Sequence, residues 1–394
     1  MPDVIVVGAG PAGSAAACHL ARAGLDVRLL EKSAFPREKV CGDGLTPRAV
    51  RELLDLGIDI DAPGWFRNRG LRLIAGDRLL ELPWPSDGGH PPFGLTRTRH
   101  DFDDILARHA VSAGATLSQN TKVTGPLQDR TGRVIGVRTD DGDHRAPIVI
   151  AADGASSRLS VALGLHPRRD RPIGVAARRY YRSPRHDDPY LEAWLDLVPA
   201  GYGWVFGMGD GTCNVGVAFL RTAHADCPTL LDDWLARTPP DWGFTEDNAA
   251  GPLRGAALPM GYARRPHYYP GLLLTGDSGG MINPSNGEGI AYALEAARIA
   301  AETITSALAA PTPGQRERTL YRYPSAITQA NGRPFTLGRL FTRAIENPHV
   351  MRAATAAGIA NPPLMRFALK LLGNLTDPTA DRLATALTRL TPTS

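Results

Sequence analysis

The segment Asp3-Val4-Ile5-Val6-Val7-Gly8-Ala9-Gly10-Pro11-Ala12-Gly13 decides the fold. Val4 to Val7 form a short, wholly apolar run, the pattern of a strand buried on both faces of a parallel sheet. Gly8 permits the tight turn out of that strand. Gly10 lets the backbone approach a pyrophosphate, and Gly13 lets the following helix pack close to the sheet. That helix, from about Ala12 to Ala23, is rich in alanine and ends at Gly24, a suitable C-cap. Its N-terminus offers free N–H groups and a positive dipole end to phosphate. A second strand, Asp26 to Leu30, ends in Glu31, whose carboxylate can accept both ribose hydroxyls of an adenosine. An ordinary strand, turn and helix that binds nothing would carry the glycines without that acid.

Two later segments extend the pattern. Val149-Ile150-Ala151-Ala152-Asp153-Gly154 is the first, and Leu272-Leu273-Leu274-Thr275-Gly276-Asp277, with Pro284, Gly287, Glu288 and Gly289 behind it, is the second. One glycine motif alone implies a dinucleotide. All three in this order imply FAD, held by a fold that returns to its first sheet twice. The Asp277 carboxylate, at a strand end, can accept from a ribityl hydroxyl; helix capping is the plain structural alternative. The helix opening near Gly287-Glu288-Gly289-Ile290 points N–H groups at the flavin pyrimidine oxygen or the pyrophosphate. No second Gly-x-Gly-x-x-Gly follows another strand, so no dedicated nicotinamide domain is expected. The reductant, NAD(P)H or another carrier, stays open.

At 394 residues the chain has room for two domains or one large two-lobed unit. Its 43% hydrophobic and 21% charged content fits a globular protein, and its formal charge of +4 is small. No basic run carries interleaved aromatics, so a nucleic-acid partner is not expected. Cys18, Cys41, Cys213 and Cys227 form no CxxC or Cys/His cluster, so no metal site is expected. With a strand at the start and no long apolar stretch, neither a signal peptide nor a membrane span is expected. The expected setting is the reducing cytoplasm, with peripheral contact at the inner face of the membrane. That contact is assigned to Pro363–Leu372, an apolar stretch in which Arg366 and Lys370 share a helical face; a helix packed on the core with solvated cations is the alternative.

The segment Arg97 to Ala115 reads as an amphipathic helix through Phe102, Ile105, Leu106, His109 and Ala110. Thr116–Val123, Val134–Arg138 and Ile148–Ala152 read as strands. Gly174–Arg179, Leu191–Leu195, Gly203–Met208 and Asn214–Phe219 are short alternating runs, assigned to a separate antiparallel sheet. Gly289–Ala309 is a long helix broken by Pro311-Thr312-Pro313-Gly314. The expected division is a discontinuous FAD-binding domain (1–75, 96–165 and 266–310), a substrate domain (76–95 and 166–265) and a helical C-terminal region (311–394).

Pro36-Arg37-Glu38-Lys39-Val40-Cys41-Gly42-Asp43-Gly44 narrows the reading further. With Arg99-x-x-Phe102-Asp103, Asp153-Gly154, Tyr202-Gly203-Trp204-Val205-Phe206 and Gly276-Asp277 through Ile290, the chain resembles the geranylgeranyl reductase family of FAD-dependent oxidoreductases. The segments from Cys41 to Arg48 and from Asn283 to Gly289 look most like the branch that reduces the isoprenoid tail of menaquinone. The resemblance implies an α/β fold with a Rossmann-type FAD-binding domain of the p-hydroxybenzoate hydroxylase/glutathione reductase-like superfamily. It also implies an antiparallel substrate sheet and an apolar small-molecule or lipid substrate whose C=C bonds are saturated. Expected FAD contacts are Gly8, Gly10, Pro11, Ala12, Gly13, Glu31, Lys32, Arg37, Cys41, Gly42, Arg99, Val123, Asp153, Gly154, Gly276, Asp277, Pro284, Gly287, Gly289 and Ile290.

Flavin carries the hydride chemistry, and the protein must place an unactivated double bond beside it. That requires an apolar tunnel, aromatic surfaces that tolerate developing positive charge, and a proton donor. Tyr202, Trp204 and Phe206 alternate at the strand period and project to one face, either as a tunnel wall or as ordinary core. Cys41 either tunes the flavin or delivers a proton, or fills a gap as a small hydrophobe. Arg37 and Lys39 read equally as solvated charges. Where family members carry proline after the aromatic strand, this chain has Gly207, which is expected to loosen the tunnel. A flavin-dependent aromatic hydroxylase or halogenase is the competing activity, although the halogenase W-x-W-x-I-P signature is absent. A flavin-stabilised binding protein without turnover is the third reading.

Overall fold

The computed structural model describes residues 1–86, 89–223, 225–376 and 381–393. Val4–Val7 is buried throughout and lies inside a six-stranded sheet. The strand order is Tyr268–Tyr269, Leu272–Leu274, Ile148–Ala151, Val4–Val7, Val27–Leu30 and Thr116–Ser118. Val4–Val7 pairs in parallel with Ile148–Ala151 and with Val27–Leu30, and Ile148–Ala151 pairs in parallel with Leu272–Leu274. The chain therefore returns to its first sheet twice. Register sets Val7 beside Leu30 and Ala151, and Ala151 beside Leu274. Gly8, Glu31, Ala152 and Thr275 consequently leave the sheet at one end, where open α/β sheets bind ligands.

Both faces of this sheet are covered, which is why its strands carry no alternation. On one face lie the helices Pro11–Arg22, Arg99–Ser112 and Ile290–Leu308. Their alanines, with Leu20, Phe102, Leu106 and Ile304, share one core with Val4, Val6 and Leu29. On the other face an antiparallel sheet of Val123–Gln128, Val134–Thr139 and Gly142–Arg145 packs Val123, Val134 and Val137 against Ile5, Val7 and Val149.

A second large sheet has seven strands, ordered Arg254–Pro259, Ile173–Arg182, Thr212–Leu220, Gly201–Gly207, Tyr190–Trp194, Gly70–Ala75 and Arg78–Pro83. Its period-2 alternation separates two apolar faces. Val205, Val215 and Val217 pack outward under the Cys227–Leu235 helix, whose Trp234 is 1% exposed. Ala176, Trp204 and Ala218 face inward. Two sequence expectations need correction here. Gly70–Ala75 belongs to this sheet and not to the FAD-binding unit, because it pairs with Arg78–Pro83 along its whole length. The sheet is also mixed, since Tyr190–Trp194 runs parallel to Gly70–Ala75.

The C-terminal helices are Pro313–Leu320, Tyr323–Ile345, Pro348–Ala360, Pro362–Leu372 and Arg382–Leu390. They are not an appended tail. Phe335 is fully buried, with its ring 4.5 Å from Tyr262 and 4.9 Å from Tyr292, and the Tyr323 hydroxyl donates to the Leu274 carbonyl at 3.0 Å. Leu375, 2% exposed, joins Trp84 and Leu191 in a small core. Lys370 is ion-paired to Asp381 at 2.9 Å, so it does not form a solvated cationic pair with Arg366.

Candidate active site

The strand ends of the first sheet and the inner face of the second enclose a cavity of about 520 Å³. Its floor is the first glycine turn. Gly8 has φ 96°, and a Cβ there would lie 2.4 Å from the Ala152 carbonyl oxygen. A Cβ on Gly13 would lie 1.8 Å from the Gly8 carbonyl oxygen, so the helix sits as close to the strand as the sequence predicts. Gly10, the N-cap, has no side-chain capping bond, and the first turn of the Pro11–Arg22 helix opens on the cavity.

Glu31 borders the cavity at the end of Val27–Leu30. Its Oε2 accepts from Ala9 N–H at 2.9 Å and from Arg37 at 3.3 Å, and its Oε1 accepts from Ser33 N–H at 3.2 Å. A carboxylate has about four acceptor positions, so Glu31 staples the glycine turn and keeps capacity toward the cavity. Arg37 continues the network to Asp103 at 2.9 Å, and Asp103 also receives Arg99 Nε at 2.6 Å. Burial opposes the Arg99 charge, yet the Asp103 carboxylate holds its pKa above the usual guanidinium value. Asp103, quoted above within the family motif but not among the expected FAD contacts, is a supporting residue. Its i,i+4 spacing from Arg99 was the available signal.

The other two glycine motifs meet the first. Asp153 and Gly154 line the cavity, and a Cβ on Gly154 would meet nothing within 4 Å. Asp277 lies in a 3₁₀ turn, Gly276–Gly279, and also lines the cavity. Among the described residues its carboxylate has no hydrogen-bond or ion-pair partner. An open glycine cradle, an uncapped helix start and two carboxylates at opposite sides fit a dinucleotide flavin. Of the expected FAD contacts, all line the cavity except Gly13 and Pro284. Gly13 lies beneath the wall, as its packing role requires. Pro284 is turned away, packing against the Gly261 turn and Gly338 of the Tyr323–Ile345 helix, and shapes the loop without touching the space.

Tyr202, Trp204 and Phe206 line the same cavity, with successive ring centroids 6.1 and 6.2 Å apart. Around them the sheet presents Ala176, Ala218, Ala256 and Leu258. This hollow apolar face is continuous with the glycine cradle. The Cys41 loop lies flat on it, because Cβ atoms at Gly42 and Gly44 would come 3.3 and 3.2 Å from the Phe206 ring.

Polar bonds beneath the strip fix its geometry. Trp204 Nε1 donates to Asn214 Oδ1 at 2.9 Å, and Asn214 Nδ2 donates to the Cys41 carbonyl and to Asp43 Oδ2, each at 2.8 Å. Asp43 Oδ2 also accepts from the Tyr180 hydroxyl, and Oδ1 from Arg99 N–H at 3.2 Å. Burial drives the Asp43 carboxyl up to about 6 against those donors. Cys41 is pushed upward by desolvation, with Arg99 acting in the opposite sense, so the thiol keeps its proton. Tyr202 is pushed up to about 12 by burial, and its hydroxyl donates to the Asn286 carbonyl at 3.0 Å, tying the strip to the third glycine motif.

Gly207 is not loose. It is buried, and a Cβ would lie 2.6 Å from the His186 carbonyl oxygen and 3.0 Å from that of Arg185. The 3₁₀ turn Pro184–Asp187 occupies the space a side chain would need, so the expected wider tunnel does not follow from this glycine.

Fold and cavity together define an FAD-dependent oxidoreductase. An FAD binding domain family matches residues 1–177. A menaquinone reductase of Mycolicibacterium smegmatis is 38% identical over 397 residues, covering 97% of this chain and 94% of that protein. Digeranylgeranylglycerophospholipid reductase 1 of Methanopyrus kandleri is 35% identical over 325 residues, covering 78% and 81%. A crystal structure of a geranylgeranyl bacteriochlorophyll reductase-like protein from Thermoplasma acidophilum superposes with a TM-score of 0.77 at 26% identity, over 89% of this chain and 90% of that one. The chain belongs to the geranylgeranyl reductase family of FAD-dependent oxidoreductases.

Proposed function

We propose that this enzyme saturates C=C bonds in the isoprenoid chain of a prenyl-quinone, the substrate named for its menaquinone reductase relatives. The observation that carries the reading is the continuity of the aromatic strip and its alanine surround with the glycine cradle. An extended apolar chain laid along Trp204 and Phe206 reaches the cofactor space, with Arg178, ion-paired to Glu38 at 2.8 Å, as a charged group on the same wall. Bound reduced flavin supplies the hydride. The ring faces of Tyr202, Trp204 and Phe206 stabilise positive charge on the alkene carbons. Cys41 Sγ, held protonated at the wall, is assigned the proton that adds to one carbon, and the hydride goes to the other, where the positive charge develops. Hydride and proton together convert one C=C into one CH–CH, a gain of two hydrogens.

The test is anaerobic incubation of dithionite-reduced enzyme with menaquinone, followed by mass spectrometry of the lipid. Each saturated bond adds two hydrogens. Trp204→Ala should lower turnover far more than flavin content. No mass gain on prenyl-quinone or geranylgeranyl substrates would remove the reading, as would a Trp204→Ala variant that loses FAD and unfolds.

An apolar face on the C-terminal helices supports peripheral contact with a membrane. Leu383, Leu387 and Leu390 lie at helical spacing on Arg382–Leu390 and are 65%, 40% and 82% exposed. No helix among the described residues is long and apolar enough to cross a membrane. Removal of everything from Asn361 onward would also take Leu375 and the Leu372 carbonyl that accepts from Asn283 and Ser285. Serine at all three leucines is the cleaner variant, and it should abolish flotation with liposomes while flavin content is kept. Equal flotation of variant and parent would refute the contact.

A further inference from the structure

Away from the cavity, guanidinium groups from three segments converge. Arg339, on the Tyr323–Ile345 helix, is 9% exposed. Its Nη2 donates to Thr336 Oγ1 at 2.9 Å, while its Nη1 is buried without a hydrogen-bond partner. Its stem is packed on Gly261. Arg171, from the loop before Ile173–Arg182, has a side chain 11% exposed and a buried Nε without a partner. Arg343 stands one helical turn beyond Arg339, exposed. Arg265 faces the group from the loop before Tyr268, stacked over Tyr262 at 4.9 Å.

Among the described residues, the carboxylate that raises Arg339 is Asp170. It is half exposed and already serves Arg168 at 2.7 Å and Arg171 at 3.2 Å. Arg339 and Arg343 have no ion-pair partner among the described residues. The electrostatics agree with the geometry. Burial, then the charges of Arg171, Arg265 and Arg343, pull Arg339 down to about 10. Arg171 is lowered by burial and by Arg168, and Arg265 by burial and by Arg171. A buried cation without a counter-charge, as Arg339 is among the described residues, is costly, so its unpartnered Nη1 beside Arg171 and Arg343 calls for an anion. Planar guanidinium forks match phosphate oxygens in pairs.

We propose that Arg171, Arg339 and Arg343, backed by Arg168, form an anion site that takes the phosphate group of a ligand. None of these residues lines the flavin cavity, so the site is separate from the cofactor pyrophosphate. Two sources share the chemistry: a phosphorylated dinucleotide reductant and a phospholipid headgroup, the second favoured locally by Leu340, 52% exposed between the two helix arginines.

The test uses FAD-loaded protein and needs no turnover, so its failure would leave the reductase reading intact. Melting temperature is compared in phosphate and in chloride at matched ionic strength. A phosphate-dependent rise of roughly 2 °C or more is expected. Arg339→Met keeps the packed stem and should lose the rise. Arg343→Gln, at an exposed position, provides a variant that folds if Arg339→Met does not. Binding of NADP⁺ and NAD⁺, and of phosphatidylglycerol and phosphatidylcholine vesicles, then separates the sources. A variant weakened about tenfold for NADP⁺ and unchanged for NAD⁺ identifies the reductant. A variant that loses phosphatidylglycerol vesicles identifies the headgroup. No difference between phosphate and chloride in the parent protein, or an equal rise in both variants, overturns the site.

Discussion

Replacing Asn214 by leucine tests whether the aromatic strip is held in place by the polar bonds beneath it. Asn214 is fully buried and joins Trp204, Cys41 and Asp43. Leucine has the same branched shape, is somewhat larger, and removes all of these bonds. Trp204 Nε1 and the Cys41 carbonyl are then unsatisfied, at about 1–3 kcal/mol each, and Asp43 loses one donor at about 1.5–3 kcal/mol. Added apolar contact offsets about 1 kcal/mol, which leaves a net cost of roughly 2.5–8 kcal/mol. Asp43 adds a pH signature. Its carboxyl titrates at about 6 in the folded protein against 3.8 ordinarily. The folded state therefore binds the proton more tightly, and stability falls as pH rises through that interval, by about 3 kcal/mol in all. The Asn214 hydrogen bond is one of the causes that hold this carboxyl down. Without it the folded pKa climbs, and the variant's deficit widens above about pH 6. Urea denaturation of the FAD-loaded protein at about pH 5.5 and about pH 8 reads both effects. A cost below about 1 kcal/mol, or one equal at the two pH values, would refute the reasoning.

Gly13→Ala forces a methyl against the Gly8 carbonyl; it should cost about 3 kcal/mol or more and yield colourless protein, and a normal flavin spectrum would contradict it. Glu31→Ala should weaken FAD by roughly 1.5–3 kcal/mol in a fluorescence titration of the apoprotein, and a change under about threefold would count against its role. Gly207→Ala should lower stability by about 1–3 kcal/mol without changing the reduced products, because the methyl meets the Pro184–Asp187 turn and not the tunnel. Altered products at unchanged melting temperature would restore the loose-tunnel reading.

The glycine turns and Glu31 were legible because each answers to one local backbone requirement that spacing alone reports. Tyr202, Trp204 and Phe206 were legible as a stripe, since strand period fixes their common face, but not as wall or core, since that depends on what lies opposite. The polar chain beneath them was not legible. Asp43 and Asn214 are 171 residues apart and meet because a loop of one unit rests on a strand of the other. The glycines at 42 and 44 were read as part of a motif, and their reason, the Phe206 ring pressed on the backbone, appears once the sheet is in place. Gly70–Ala75 forms a local hairpin with Arg78–Pro83, but what ties the hairpin into the second sheet is Tyr190–Trp194, remote in sequence, so its unit was not legible. Gly207 was misread for a similar reason: conformational freedom is a property of the residue, while crowding belongs to its neighbours.

The parallel pairings of Val4–Val7 with Ile148–Ala151, and of Ile148–Ala151 with Leu272–Leu274, set an order on folding. Contacts so distant along the chain close slowly. During synthesis Ile148–Ala151 emerges well before its outer neighbour, and it presents an apolar strand edge in the interval. The third wall of the flavin cradle forms after Gly276 and Ile290 have been made. FAD therefore meets a chain made at least as far as Ile290, and it favours the closed sheet over its open forms by mass action. Flavin starvation during expression should consequently lower the yield of soluble chain, and the apoprotein that does stay soluble should be colourless and melt below the FAD-loaded form.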